Sequence, residues 1–245
     1  VYAQSPQKIE EELLKPFKQI DYWAFHKDDD QSINRYDSIV AANTAFRTSL
    51  LAYTSTVRGT FTYDFKELEK EGLIIKTSED GLFRIYSWDS WTGGTAHQFE
   101  AIFQYKVANK VVSKLAVYED GDMGRWYSNI YDLKVDNKTY YIGLYHEIYS
   151  SKDSYQGVKL FCIENNKLNE SVRLFKTTTG IRNELGFEYN FLSVAHRPER
   201  PVKLIYYDKD DGQLHLAIVL EDGTVTKRFI TYQFTGKYFE RLKSR

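Results

Sequence analysis

The densest chemistry in this chain lies between Ser87 and His97. There Ser87-Trp88-Asp89-Ser90-Trp91-Thr92-Gly93-Gly94-Thr95-Ala96-His97 gathers two indoles, a carboxylate, an imidazole and a glycine pair. Two chemistries suit these types. Indole rings beside Asp89 and serine hydroxyls fit a sugar platform, where a ring face stacks on the sugar and polar groups hydrogen-bond its hydroxyls. Trp88, Asp89 and Trp91 are then the ligand-binding candidates. Alternatively Ser87, Asp89 and His97 supply a nucleophile, a base and the group that orients it, as a hydrolase needs. A catalytic serine normally sits in a strained turn, whereas Ser87 falls mid-strand, which counts against this second chemistry. A purely structural role also accounts for the motif: an Asx-type turn at Asp89 and Ser90, positive φ at the glycines, and indoles covering the end of a core.

The elements around the motif set its register. If strands 82–89 and 95–105 close around residues 90–94 with Asp89 facing Thr95, then Arg84 faces Glu100 and Ile85 faces Phe99. Charges meet on one face and apolar groups on the other, as cross-strand pairing favours. The same register sets Ser87 opposite His97.

The stretch 81–106, above all Ser87-Trp88-Asp89 and Thr92-Gly93-Gly94-Thr95, resembles uncharacterised exported proteins of Bacteroidota. The segment Phe229-Ile230-Thr231-Tyr232-Gln233-Phe234-Thr235-Gly236-Lys237-Tyr238-Phe239-Glu240 adds to the likeness, which covers the β-rich part and hardly the helices. The resemblance implies an envelope or extracellular setting. It brings no known activity and no catalytic residue.

Outside the motif the signals are weaker. His146 and Glu147 are neighbours in a strand, so their side chains leave opposite faces and cannot share one metal without a bulge. His146 reads as a hydrogen-bonded core histidine. Glu147, on a face lined by Tyr141, Tyr145 and Tyr149, is a candidate groove wall for a ligand. Cys162 is alone in an apolar run, which excludes a disulfide framework and reads as core. Asp28-Asp29-Asp30 with Asn34 hints at calcium, yet lacks the glycine and closing glutamate of an EF-hand loop. The acidic turns 119–122 and 208–212 are hairpin connections, and His26, His196 and His215 lack zinc spacing. No metal site and no cofactor is expected. No phosphate loop, dinucleotide fingerprint, nucleophile elbow or HExxH occurs.

Hydrophobic period divides the chain near Gly72. Before it, Ser5-Pro6 opens a helix whose apolar face is Ile9, Leu13, Phe17 and Ile20, with Pro16 expected to kink or end it. A second helix is expected from Ser32 to about Val57, and Asp64 with Glu67 forms a capping box for a short third. After Gly72 the period falls to two. Segments 83–89, 96–105, 111–118, 127–135, 139–149, 158–163, 171–175, 187–194, 202–207, 214–220 and 225–234 read as strands separated by turn residues. The expected fold class is α+β. An N-terminal helical region, 1–72, packs on an antiparallel β-rich meander, 73–245, as one integrated unit, the meander being a curled sheet, a barrel or partly propeller-like.

Composition limits the partners. Lys and Arg number 33 against 34 Asp and Glu, a formal charge of −1 that offers no field for nucleic acid. No apolar run is long enough to span a membrane. Val1-Tyr2-Ala3 resembles the tail of a cleaved signal peptide, which places the chain in the periplasm or outside the cell. Aromatic residues make up 16% of the chain, an excess that suits stacking surfaces. The expected function is an exported, non-catalytic binding or accessory protein for a glycan or a protein partner. The alternatives are a hydrolase using Asp89 and His97 with Ser87, and a structural subunit of an envelope assembly.

Overall fold

The computed structural model describes residues 4–25 and 34–243. His26, Asp28, Asp29, Asp30, Ser32 and the Val1–Ala3 segment lie outside the described residues. As the change of period predicts, the described helices precede Gly72, and beyond residue 80 the chain is strand and turn apart from a short 3-10 turn at Phe191–Ser193. Residue 72 marks that change but does not divide the chain. One compact unit comprises Val1–Thr77 with Gly81–Trp126, and the other Ser78–Asp80 with Tyr127–Arg245. The helices thus share a unit with the first strands.

In the first unit, α1 spans Pro6–Phe25, α2 Arg35–Thr56 and α3 Lys66–Lys70. Strands β1 (Ile74–Thr77), β2 (Phe83–Asp89), β3 (Phe99–Val107) and β4 (Lys110–Leu115) form an antiparallel sheet in sequence order. α1 does not end at Pro16 but continues to Phe25. Its buried stripe of Ile9, Leu13, Phe17 and Ile20 joins Phe46 and Leu50 of α2 and Trp88 of β2 in one core. That packing offsets the roughly 3 kcal/mol an interior proline costs. Asn34 caps α2, its side chain accepting from the Tyr36 and Asp37 amides at 3.1 and 3.3 Å. The expected Asp64–Glu67 box is replaced. Phe65 occupies the N-cap of α3 without a side-chain cap, and buried Glu10 of α1 accepts from the Glu67 and Leu68 amides at 2.8 and 3.1 Å.

The second unit continues with β5 (Trp126–Val135), β6 (Lys138–Ile148), β7 (Asp153–Glu164), β8 (Lys167–Asn169), β9 (Phe175–Thr177), β10 (Gly180–Arg182), β11 (Glu184–Asn190), β12 (Ile205–Asp208), β13 (Gln213–Val219), β14 (Val225–Phe234) and β15 (Phe239–Arg241). One sheet runs β11-β7-β6-β5 with β8 beside β7, and the other β10-β9-β15-β14-β13-β12. β15 is antiparallel to β14 and parallel to β9. The two sheets share a core in which Ile142, Leu144, Val158 and Leu160 meet Leu214, Leu216, Phe175 and Phe239. Among the described residues no sheet closes into a barrel.

Candidate functional site

The motif hairpin has a different register from the one charge matching predicts. Arg84 faces Gln104, Ser87 faces Ala101, Trp88 faces Glu100 and Asp89 faces Phe99. Neither Arg84–Glu100 nor Ser87–His97 is an opposed pair. The displacement is even, so every side chain keeps its expected face. Two causes are visible. Arg84 and Glu100 each find a partner outside the hairpin: the buried Arg84 guanidinium donates to the carbonyls of Thr60, Phe61 and Tyr63 at 3.1, 2.6 and 2.7 Å. Glu100 pairs with Arg47 of α2, whose Nη1 lies 3.0 and 3.1 Å from its two oxygens. The loop also closes on itself over residues 90–98. Ser90 donates to the Gln98 carbonyl through both N–H and hydroxyl, at 2.8 and 2.7 Å, and Thr92 Oγ1 donates to Gln98 Oε1 at 2.8 Å. Gly93 is pressed against the Ala96 carbonyl, where a Cβ would stand 2.1 Å from the oxygen.

Strand alternation then separates the candidates. Trp88 points into the core with none of its surface exposed, edge-on to Phe46 and donating its indole N–H to Asn43 Oδ1 at 3.1 Å. It is a core residue, not a ligand platform. Ser87 is equally buried, with Ile74 on one side and Ala101 on the other. Its hydroxyl is closed to a substrate, which removes it as the nucleophile. Asp89 and His97 do come together: His97 Nδ1 and Asp89 Oδ2 are hydrogen-bonded, while Asp89 Oδ1 accepts from the Trp91 amide at 2.8 Å. The hydrogen bond to Asp89 raises the imidazole pKa, partly opposed by burial.

Trp91, with positive φ at the tip of the turn, is half-buried and meets the exposed Phe25 ring of α1 edge-on at 4.7 Å. From Trp91 a line of rings continues through His97 at 5.1 Å, Phe99 at 6.1 Å and Trp126 at 6.3 Å. Near it lies the Asp21 carboxylate of α1, whose pKa is pushed up by burial. Phe99 also borders a cleft of about 300 Å³ lined by Arg47, Glu100, Tyr118, Asp120 and Asp122. The geometry therefore offers stacking faces, acceptor oxygens and a polar recess within one unit. Asn43 holds this together, since its amide nitrogen donates to the Ser90 carbonyl at 2.8 Å while its oxygen takes the Trp88 indole. Neither Asn43, Asp21 nor Phe25 was signalled by the sequence motif; each comes from a helix far away in sequence.

The second unit carries the remaining candidates. Glu147 is buried and accepts from the Tyr149 hydroxyl at 2.6 Å, so it does not wall an open groove. His146 is a core histidine whose Nε2 lies 2.9 Å from Ser128 Oγ, and burial lowers its pKa to about 3. Burial also pushes the Cys162 thiol up to about 11, leaving it protonated and inert. The acidic turns are occupied by backbone: Asp208 accepts from the Asp210 and Asp211 amides, and Asp122 from the Gly124 amide. Among the described residues no three His, Cys, Asp or Glu gather as a metal site.

No family model, curated protein or solved structure matches this chain.

Proposed function

We propose that this chain is a non-catalytic binding module and that the Phe25, Trp91, His97 and Trp126 rings, backed by the buried Phe99, recognise a glycan together with the nearby carboxylates. The observation that carries this reading is the half-buried Trp91 ring, held by its amide on Asp89 and set between the Phe25 and His97 rings at 4.7 and 5.1 Å. A ring fixed in this way costs little entropy to use, and nearby carboxylates direct sugar hydroxyls. The likeness to exported Bacteroidota proteins supports a periplasmic or extracellular setting. The Asp89–His97 hydrogen bond favours a second reading, a hydrolase in which the pair activates water, with Ser87 playing no part.

Affinity electrophoresis in gels containing neutral or amine-bearing soluble polysaccharides tests the proposal. The chain should be retarded in at least one, Trp91→Ala should lose the retardation while keeping its circular dichroism, and no reducing ends should appear. Steady release of reducing ends that Asp89→Asn abolishes would establish the hydrolase instead. A chain that ignores every polysaccharide overturns the glycan reading and returns the strip to a protein partner or an envelope assembly.

A further inference from the structure

We infer that the second unit holds a small-molecule site of its own, which takes a short aliphatic carboxylic acid bearing a hydroxyl at its far end. The inference does not rest on the rings of the first unit. A cavity of about 100 Å³ lies between strands β5–β7 and the segment 201–206. Gln156 of β7 fixes that segment over the sheet, donating to the Val202 carbonyl at 2.6 Å and accepting from the Leu204 and Ile205 amides at 3.1 and 3.2 Å. The lining changes character with depth. Leu144 and Ile205 are buried aliphatic walls, and the buried Ser128 hydroxyl meets His146 Nε2 at 2.9 Å on the floor. Asn129 and Lys203 are exposed and mark the mouth.

Each part of the cavity selects one part of the ligand. Burial lowers the His146 pKa to about 3, so at neutral pH the floor carries no charge. It suits a hydroxyl, which hydrogen-bonds there, and disfavours a carboxylate, which would be desolvated without a countercharge. The volume admits three or four carbon atoms at roughly 30 Å³ each, the share of a liquid water, which is too little for a sugar ring. Lys203 carries the one formal charge among the lining side chains, and no carboxylate pairs with it among the described residues. The charges around it are engaged elsewhere. Arg200 donates to the carbonyls of Ala195, Arg197 and Glu199 at 2.8, 2.6 and 2.7 Å. Asp208 accepts from the amides of its own turn, and Asp132 from those of Glu79 and Asp80. A carboxylate at the mouth therefore meets a cation and stays in contact with water, while its chain replaces water against the aliphatic walls.

Saturation-transfer NMR titrations of the whole chain at neutral pH compare δ-hydroxyvalerate with valerate, which lacks the hydroxyl, and with pentanediol, which lacks the charge. The hydroxy acid should bind, and each of the other two should bind about threefold more weakly. Lys203→Ala, at an exposed side chain, should bring the hydroxy acid down to the affinity of the diol. Ser128→Ala should bring it down to that of valerate. Lys134→Ala removes an exposed lysine of β5 outside the lining and should change nothing. Should Ser128→Ala disturb the fold, the three ligands on the native chain read the same preference without a substitution. Binding of none of them, equal affinity for all three, or hydroxy-acid binding that Lys203→Ala leaves intact overturns the inference.

Discussion

Asp89 uses its two oxygens differently, one for the turn through the Trp91 amide and one for the His97 imidazole. Asparagine at this position keeps the turn acceptor and removes the charge, so Asp89→Asn isolates the pairing. Because the folded pKa of His97 is raised above the ordinary 6.5, the pair stabilises the fold fully below that value and the contribution is lost as pH rises through the raised one. The stability gap between the native chain and Asp89→Asn should therefore be largest below about pH 6.5 and shrink in alkali. Followed by histidine NMR, the His97 midpoint should fall in the variant. His146 works in the opposite sense. Its folded pKa of about 3 lies below the unfolded value, so stability is lost as pH falls from about 6.5 towards 3. His146→Gln should flatten this acid limb of the pH–stability curve, and an unchanged limb would show that other groups produce it. The types in the motif were legible in the sequence. Their roles were not, because burial decides whether an indole is platform or core.

At the scale of elements, the short helix α3 depends on a residue more than fifty positions earlier. Glu10 serves two amides of its first turn and accepts the Tyr63 hydroxyl at 2.6 Å, which pushes that phenol's pKa up to about 12. Removing it as Glu10→Ala should cost about 3 kcal/mol in urea unfolding, because buried donors lose a charged acceptor. The mild exposed-cap alternative, Asp64→Ala, should cost a few tenths at most, given surface exposure and no cap bond. Equal effects would restore the local capping box that the sequence suggested. The hairpin teaches the same lesson. Local charge matching chose Arg84 with Glu100, whereas the carbonyls of residues 60–63 and Arg47 of α2 compete for them and win.

Across the whole molecule, the last strand has a closing role that its length conceals. β15 joins β14 to β9, and Phe239, with none of its surface exposed, meets Phe175, Phe234 and Tyr207 at 5.4, 5.2 and 6.1 Å. Phe239→Ala should destabilise the second unit by about 4 kcal/mol, read as a lowered thermal midpoint in near-ultraviolet circular dichroism. A shift no larger than that of an exposed control such as Leu192→Ala would show that β15 is dispensable.

The change of hydrophobic period near Gly72 determined by itself that helices come first and strands follow, and 83–89 and 225–234 emerge as strands with the bounds expected of them. Periodicity suffices there because each segment is long enough to repeat its pattern. β8, β9, β10 and β15 span three residues each, too few for a period, and they exist only because neighbouring strands supply their hydrogen bonds. The same limit applies to the site. The sequence alone placed Asp89, Trp91 and His97 close together, since a turn needs only local chain. Asp21, Phe25 and Asn43 reach them from helices α1 and α2, and the choice of Trp91 over Trp88 as the open ring was made by the core those helices form. Contacts between distant segments are set by packing, which no local pattern encodes.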